Sequence, residues 1–146
     1  MTETLKTRNI IDVTFAGSGL VISASYSRKL LVKPGYFING TLGVGTVPAS
    51  GGVTLPHQIT FNLGKRKNYL ELGVAGTFFT GLSNASGYSE RIYSYQFSPL
   101  IGYRRIFFNN LVLRAYFNPL FHITGEYYLE NYAIIPYGGL SIGHSF

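Results

Sequence analysis

The chain is 146 residues long, one domain's worth, and only 12% of it is charged, against ~25% in ordinary soluble domains. It has no cysteine, which excludes a disulfide framework and a thiolate metal site. No run of 18 apolar residues occurs, which excludes a membrane-spanning helix, although aromatic residues reach 16% and the mean hydropathy is +0.16. The net charge of +6 raises nucleic acid or an anionic membrane as partners, so the placement of those charges matters more than their sum.

Residues 1–8 lack the apolar core of an export signal and read as a short tail. For an exported protein the expectation is a mature-length chain with Met1 added. From Asn9 onward apolar residues recur at every second position, which is a strand period. The pattern predicts strands over 9–16, 20–28, 36–47, 56–64, 69–80, 92–104, 111–122 and 133–146. Each is close to the ~9–11 residues that cross a bilayer when tilted. Turn signals separate them: Gly17-Ser18-Gly19, Lys33-Pro34-Gly35, Pro48 through Gly52, Lys65 through Asn68, and Asn109-Asn110. An even strand number puts both ends of the chain on one side, the periplasm in known barrels. The stretches 82–91 and 123–132 then become outer loops, and 65–68 and 107–110 inner turns.

One face of these strands carries Ile11, Val13, Phe15, Leu42, Ile59, Phe61, Leu72, Val74, Phe97, Tyr103, Leu113, Phe117, Leu140 and Ile142, with no Asp, Glu, Lys or Arg among them. A basic residue there would cost about 2–4 kcal/mol at a bilayer midplane, so the absence is what lipid contact requires. The opposite face carries Thr14, Ser23, Ser25, Asn39, Gln58, Thr60, Asn62, Ser94 and Asn118. A soluble barrel for fatty ligands would show the reverse arrangement. The prediction is an all-β, eight-stranded antiparallel up-and-down transmembrane barrel over 9–146, with Tyr93, Tyr103, Phe121 and Phe146 in aromatic girdles at strand ends.

Four charges fall on the polar face, Asp12, Glu71, Arg104 and Arg114, and they sum to zero. Eight strands enclose an interior that side chains can fill, and buried charges survive there when paired. The expectation is a network in which Glu71 meets Arg104 or Arg114 and closes a polar lumen, with a narrow pore as the alternative. Pro99, Pro119 and Pro136 sit inside the last three strands, where a missing N–H predicts bulges or ladder breaks. His122, Thr124 and Glu126, with Glu130 nearby, hold the residue types of an acyl-hydrolase triad. Their spacing is compact and His122 has inward parity, so a lipid-modifying enzyme is the alternative function and not the main one. No catalytic, cofactor or metal site is expected, since His57 and His144 are isolated. Arg28, Lys29, Lys33, Lys65, Arg66, Lys67 and Arg105 are placed at inner turns or strand ends, as solvated boundary charges or headgroup contacts. No basic stripe interleaves with stacking aromatics, so nucleic acid is not an expected partner.

The C-terminal run Tyr137-Gly138-Gly139-Leu140-Ser141-Ile142-Gly143-His144-Ser145-Phe146 resembles the terminal signature of Gram-negative outer-membrane barrels, in which Leu140, Ile142 and Phe146 occupy the signature positions. His144 departs from the usual apolar residue. The layout of nearly the whole chain is similar to small eight-stranded barrels of the OmpA and OmpX type. The runs Ser25-Tyr26-Ser27-Arg28, Gly102-Tyr103-Arg104 and Gly139-Leu140-Ser141-Ile142-Gly143 resemble small barrels of the Bacteroidota. The resemblance implies an integral outer-membrane location with periplasmic termini. It also implies outer-membrane lipid and, during insertion, the barrel-assembly machinery as partners. The expected function is non-enzymatic, either architectural or as an accessory subunit with a possible outer-membrane protein partner.

Overall fold

A computed structural model describes residues 6–48, 51–83, 90–125 and 134–146. Its strands are β1 (Asn9–Ala16), β2 (Ile22–Lys33), β3 (Tyr36–Val47), β4 (Gly52–Lys65), β5 (Asn68–Ser83), β6 (Glu90–Ile106), β7 (Leu111–Phe117), β8 (Leu120–Gly125), β9 (Ile134–Ile135) and β10 (Gly138–Ser145). Every pairing is antiparallel, and β1 closes on β10. β6 pairs with β7 at Ile101↔Phe117 and with β8 at Phe97↔Phe121, so β7 and β8 lie in one line. β9 and β10 do the same, pairing with β8 and β7 in turn. The ten segments therefore form a closed barrel of eight strands.

The strands differ from the sequence reading at their ends. The second starts at Ile22, not residue 20, and runs to Lys33 instead of stopping at 28. β4, β5 and β6 are likewise longer than predicted. Part of the extra length comes from hairpins that stay paired to their tips: Lys65 faces Asn68 across Arg66 and Lys67, and Lys33 faces Tyr36 across Pro34 and Gly35. The rest comes from the opposite end, where the ladders run on to Val47↔Gly52 and Ser83↔Glu90. Arg66 (φ 62°) and Gly35 (φ 89°) supply the left-handed residues that such tight turns need.

The last two predicted strands are each broken. The break in the first follows Phe117, and that in the second follows Ile135. Extending the registers on either side of the breaks puts Pro99, Pro119 and Pro136 on one rung, directly opposite one another across three neighbouring strands. None of the three can donate to the ladder. The Asn118 N–H donates to the Tyr137 carbonyl (2.8 Å), carrying the sheet across the interruption on one side.

Inside the barrel, the end that holds the termini is filled by apolar side chains: Ile10, Phe37, Tyr69, Ile106 and Val112, with Val32 packed against them. The Phe37 and Tyr69 rings meet edge to face at 5.0 Å. The interior is thus polar in its middle but closed by an apolar layer at this end, where a polar filling alone was expected.

Candidate functional site

Four consecutive strands each send one long polar side chain to the middle of the barrel: Gln58 from β4, Glu71 from β5, Arg104 from β6 and Arg114 from β7. Arg104 and Arg114 are register partners, so two guanidiniums project inward side by side, which repulsion opposes. Glu71 is what makes this arrangement tolerable. Its Oε2 lies 2.9 Å from Arg104 Nη2, and its Oε1 accepts Arg114 Nε–H (2.7 Å) and a second, short bond from Arg114 Nη2. Arg114 Nη2 also donates to Gln58 Oε1 (2.6 Å), and the Arg114 guanidinium sits 4.2 Å from the Tyr116 ring centre. Glu71 is 0% exposed. Both of its oxygens face guanidiniums, so the arrangement acts as a brace across four strands.

Asp12 makes no hydrogen bond to this cluster and sits at the seam where β1 meets β10. Its Oδ1 accepts the hydroxyls of Thr14 (3.1 Å) and Ser141 (3.2 Å), which also bond each other (2.9 Å). Ser27 and Thr41 link β2 to β3 in the same way (2.7 Å). Hydroxyl pairs and the guanidinium brace together tie the interior around most of its circumference.

Two interior features were not foreseen. Lys29, placed at a boundary turn by the sequence reading, is inside the barrel and 1% exposed. Its Nζ donates to the Thr7 carbonyl (2.9 Å) and lies 5.2 Å from the Phe37 ring centre. With Lys29 the interior charges among the described residues no longer sum to zero but carry one positive charge in excess. The usable signal was parity: Lys29 continues the inward series Ser23, Ser25, Ser27 once β2 is allowed to run to Lys33.

The second is the β1–β2 connection, which turns back into the lumen at the end opposite the termini. Ala16 (φ 59°), Gly17 (φ 70°) and Leu20 (φ 71°) are all left-handed, and Gly17, Ser18 and Gly19 are buried. The Ser18 N–H donates to Tyr116 Oη (3.3 Å), and its hydroxyl receives a short bond from Gln58 Nε2. Its carbonyl accepts from Thr77, and the Gly19 carbonyl from Thr54 (3.0 Å). A Cβ at Gly17 would lie 2.2 Å from Tyr116 Oη, and the residue's φ is one that L side chains rarely adopt.

The outer wall is apolar all round the barrel. Leu42 is 70% and Leu140 64% exposed, and Phe15, Leu72, Phe97, Phe117, Ile142 and Phe146 are exposed with them. Phe61 is half-buried beneath the Tyr36 ring, 5.1 Å away. Of the exposed described cations, Lys6, Arg8, Arg28, Lys33, Lys65, Arg66 and Arg105 lie toward the end that holds the termini, and Arg91 lies toward the other. His57, expected to be isolated, lies on the wall with its Nε2 2.9 Å from Tyr95 Oη. At the opposite rim the backbone of His122 pairs with Gln96, and Thr124 is exposed. Glu126 and Glu130 lie outside the described residues, so no triad can be assembled from what is described.

Fold and wall define a closed eight-stranded antiparallel barrel with an apolar exterior and a braced interior. No family model and no curated protein matches the chain. Among solved structures it is similar to Ail, the attachment invasion locus protein of Yersinia pestis, at 11% identity and a TM-score of 0.43, over 94% of this chain and 92% of that one. The fold stated here rests on the strand pairing, not on that likeness.

Proposed function

We propose that the chain is an integral outer-membrane barrel with periplasmic termini, a sealed lumen and no enzymatic activity, serving as an architectural or accessory subunit. The observation that carries this reading is the wall. Large apolar side chains such as Leu42, Ile59, Leu140 and Phe15 stand exposed on every side, while Lys29, Asp12, Glu71, Arg104 and Arg114 are buried in the interior and the exposed strand cations lie toward strand ends. In water so much exposed apolar surface is an aggregation liability; in hydrocarbon it is the required exterior. The sealed lumen is supported from three levels: the apolar layer around Phe37, the guanidinium brace, and the inserted Ser18 loop.

Two measurements test the reading. Reconstituted into planar bilayers, the protein is expected to give no stepwise conductance, and discrete steps would overturn the sealed lumen. Mass analysis of lipid A from cells with and without the protein is expected to show the same acylation. A lost or gained acyl chain would favour the enzyme at the His122 rim.

A further inference from the structure

The wall carries the same three-residue device twice, on opposite sides of the barrel. On β1 and β2, Asn9 is the register partner of Arg28, and Tyr26 Oη donates to Asn9 Oδ1 (2.7 Å). On β5 and β6, Asn68 is the register partner of Arg105, and Tyr103 Oη donates to Asn68 Oδ1 (2.7 Å). Each arginine follows its tyrosine by two positions, so both point outward from one strand. β2 and β6 are four strands apart in a ring of eight, so the two devices are diametrically placed. Both lie toward the end that holds the termini.

Beside each device the wall is hollowed over a small residue. Next to Arg28 a groove of about 510 Å³ runs over Gly40 between Leu30, Leu42 and Ile59. Next to Arg105 a groove of about 390 Å³ runs over Ala115 between Leu113, Leu140 and Ile142. A cation at one end of an apolar trough is complementary to an amphiphile with an anionic head and a hydrocarbon tail. The tyrosine adds direction: by occupying the asparagine carbonyl oxygen, it leaves the amide N–H₂ as the group asparagine can offer a ligand.

We propose that Asn9–Tyr26–Arg28 and Asn68–Tyr103–Arg105 are two phospholipid sites, each taking the phosphate of an anionic glycerophospholipid at the arginine and laying an acyl chain in the adjoining groove. The proposal rests on the membrane reading above. Anionic headgroups are favoured because most of the exposed described cations lie at this end: Arg8 is near the first site, and Arg66, with the half-buried Lys67, is near the second. The described acids at this end, Asp12 and Glu71, are buried inside the barrel and do not offset that field.

Native mass spectrometry of the full chain, released from non-ionic detergent carrying phosphatidylglycerol or phosphatidylcholine, tests this. Two phosphatidylglycerol molecules are expected to stay bound under activation that strips phosphatidylcholine. Arg28→Gln and Arg105→Gln should each lose one, and the double variant both. Both arginines are exposed, so the variants should keep the heat-sensitive gel mobility of the folded barrel. Should either fail to fold, Tyr26→Phe and Tyr103→Phe probe the same sites. Equal retention of the two lipids, or two phosphatidylglycerols still bound to the double variant, would overturn the proposal. A protein that stays monodisperse without detergent would instead overturn the membrane reading, so the two failures are distinguishable.

Discussion

Glu71 is the residue on which the interior depends. It separates two guanidiniums that the register forces side by side, in a place with little water to screen them. Removing one partner of such a group leaves uncompensated buried charge, typically costing about 3–5 kcal/mol. Glu71→Gln keeps the shape and removes the charge. Urea unfolding in lipid vesicles is expected to show a loss of that size, and a loss under about 1 kcal/mol would mean the brace is not what holds the four strands. Gly17 makes a second residue-scale case. Gly17→Ala meets both a left-handed φ and the Tyr116 hydroxyl, so it should destabilise by about 1–3 kcal/mol. An unchanged unfolding midpoint would show that the Ser18 loop is not seated in the lumen. Inward parity alone singled out Asp12, Glu71, Arg104 and Arg114, because each is opposite in parity to the apolar residues of its strand. Parity could not say which of them meet, since that depends on register between strands. Lys29 escaped because the strand appeared to end one residue before it.

At the scale of the element, the proline rung is the weak line in an otherwise continuous ladder. Three adjacent strands lack a donor at the same height, and both β7–β8 and β9–β10 are interrupted there. Hydrogen exchange is expected to be faster for Leu100, Leu120 and Tyr137 than for Glu71 through Ala75, where β5 is paired on both sides. Uniform protection would contradict a real break. That strands existed, and which face each presented, was legible because the apolar exterior imposes a strict period of two. Their ends were not. The hairpins at Pro34–Gly35 and Arg66–Lys67 remain paired to the tip, and the bulge between Lys29 and Leu31 exposes two leucines in succession, which breaks the alternation a reader follows. The inward apolar residues Ile10, Phe37, Tyr69, Ile106 and Val112 were missed for a related reason. They sit at strand termini, where an apolar residue on the polar face looks like the end of a pattern and not like a layer closing the cylinder.

For the whole molecule, the consequence is an inverted solvent arrangement across the middle of the barrel: polar and charged groups are sequestered in the interior and large apolar ones stand outside. Substitution at the wall therefore behaves oppositely to substitution on a soluble surface. Leu42, 70% exposed, would accept arginine at little cost in water. In a bilayer Leu42→Arg is expected to cost about 2–4 kcal/mol if it lies near the midplane. The most direct measurement exploits the absence of cysteine, which lets single-cysteine variants carry a nitroxide without interference. Leu42→Cys, Ile59→Cys and Leu140→Cys, labelled and reconstituted in vesicles, should relax strongly with dissolved oxygen and weakly with a water-soluble nickel chelate. Phe108→Cys, at an 80% exposed turn by the termini, should do the reverse. Nickel access at positions 42, 59 and 140 equal to that at 108 would mean that water bathes the wall, and would contradict the account.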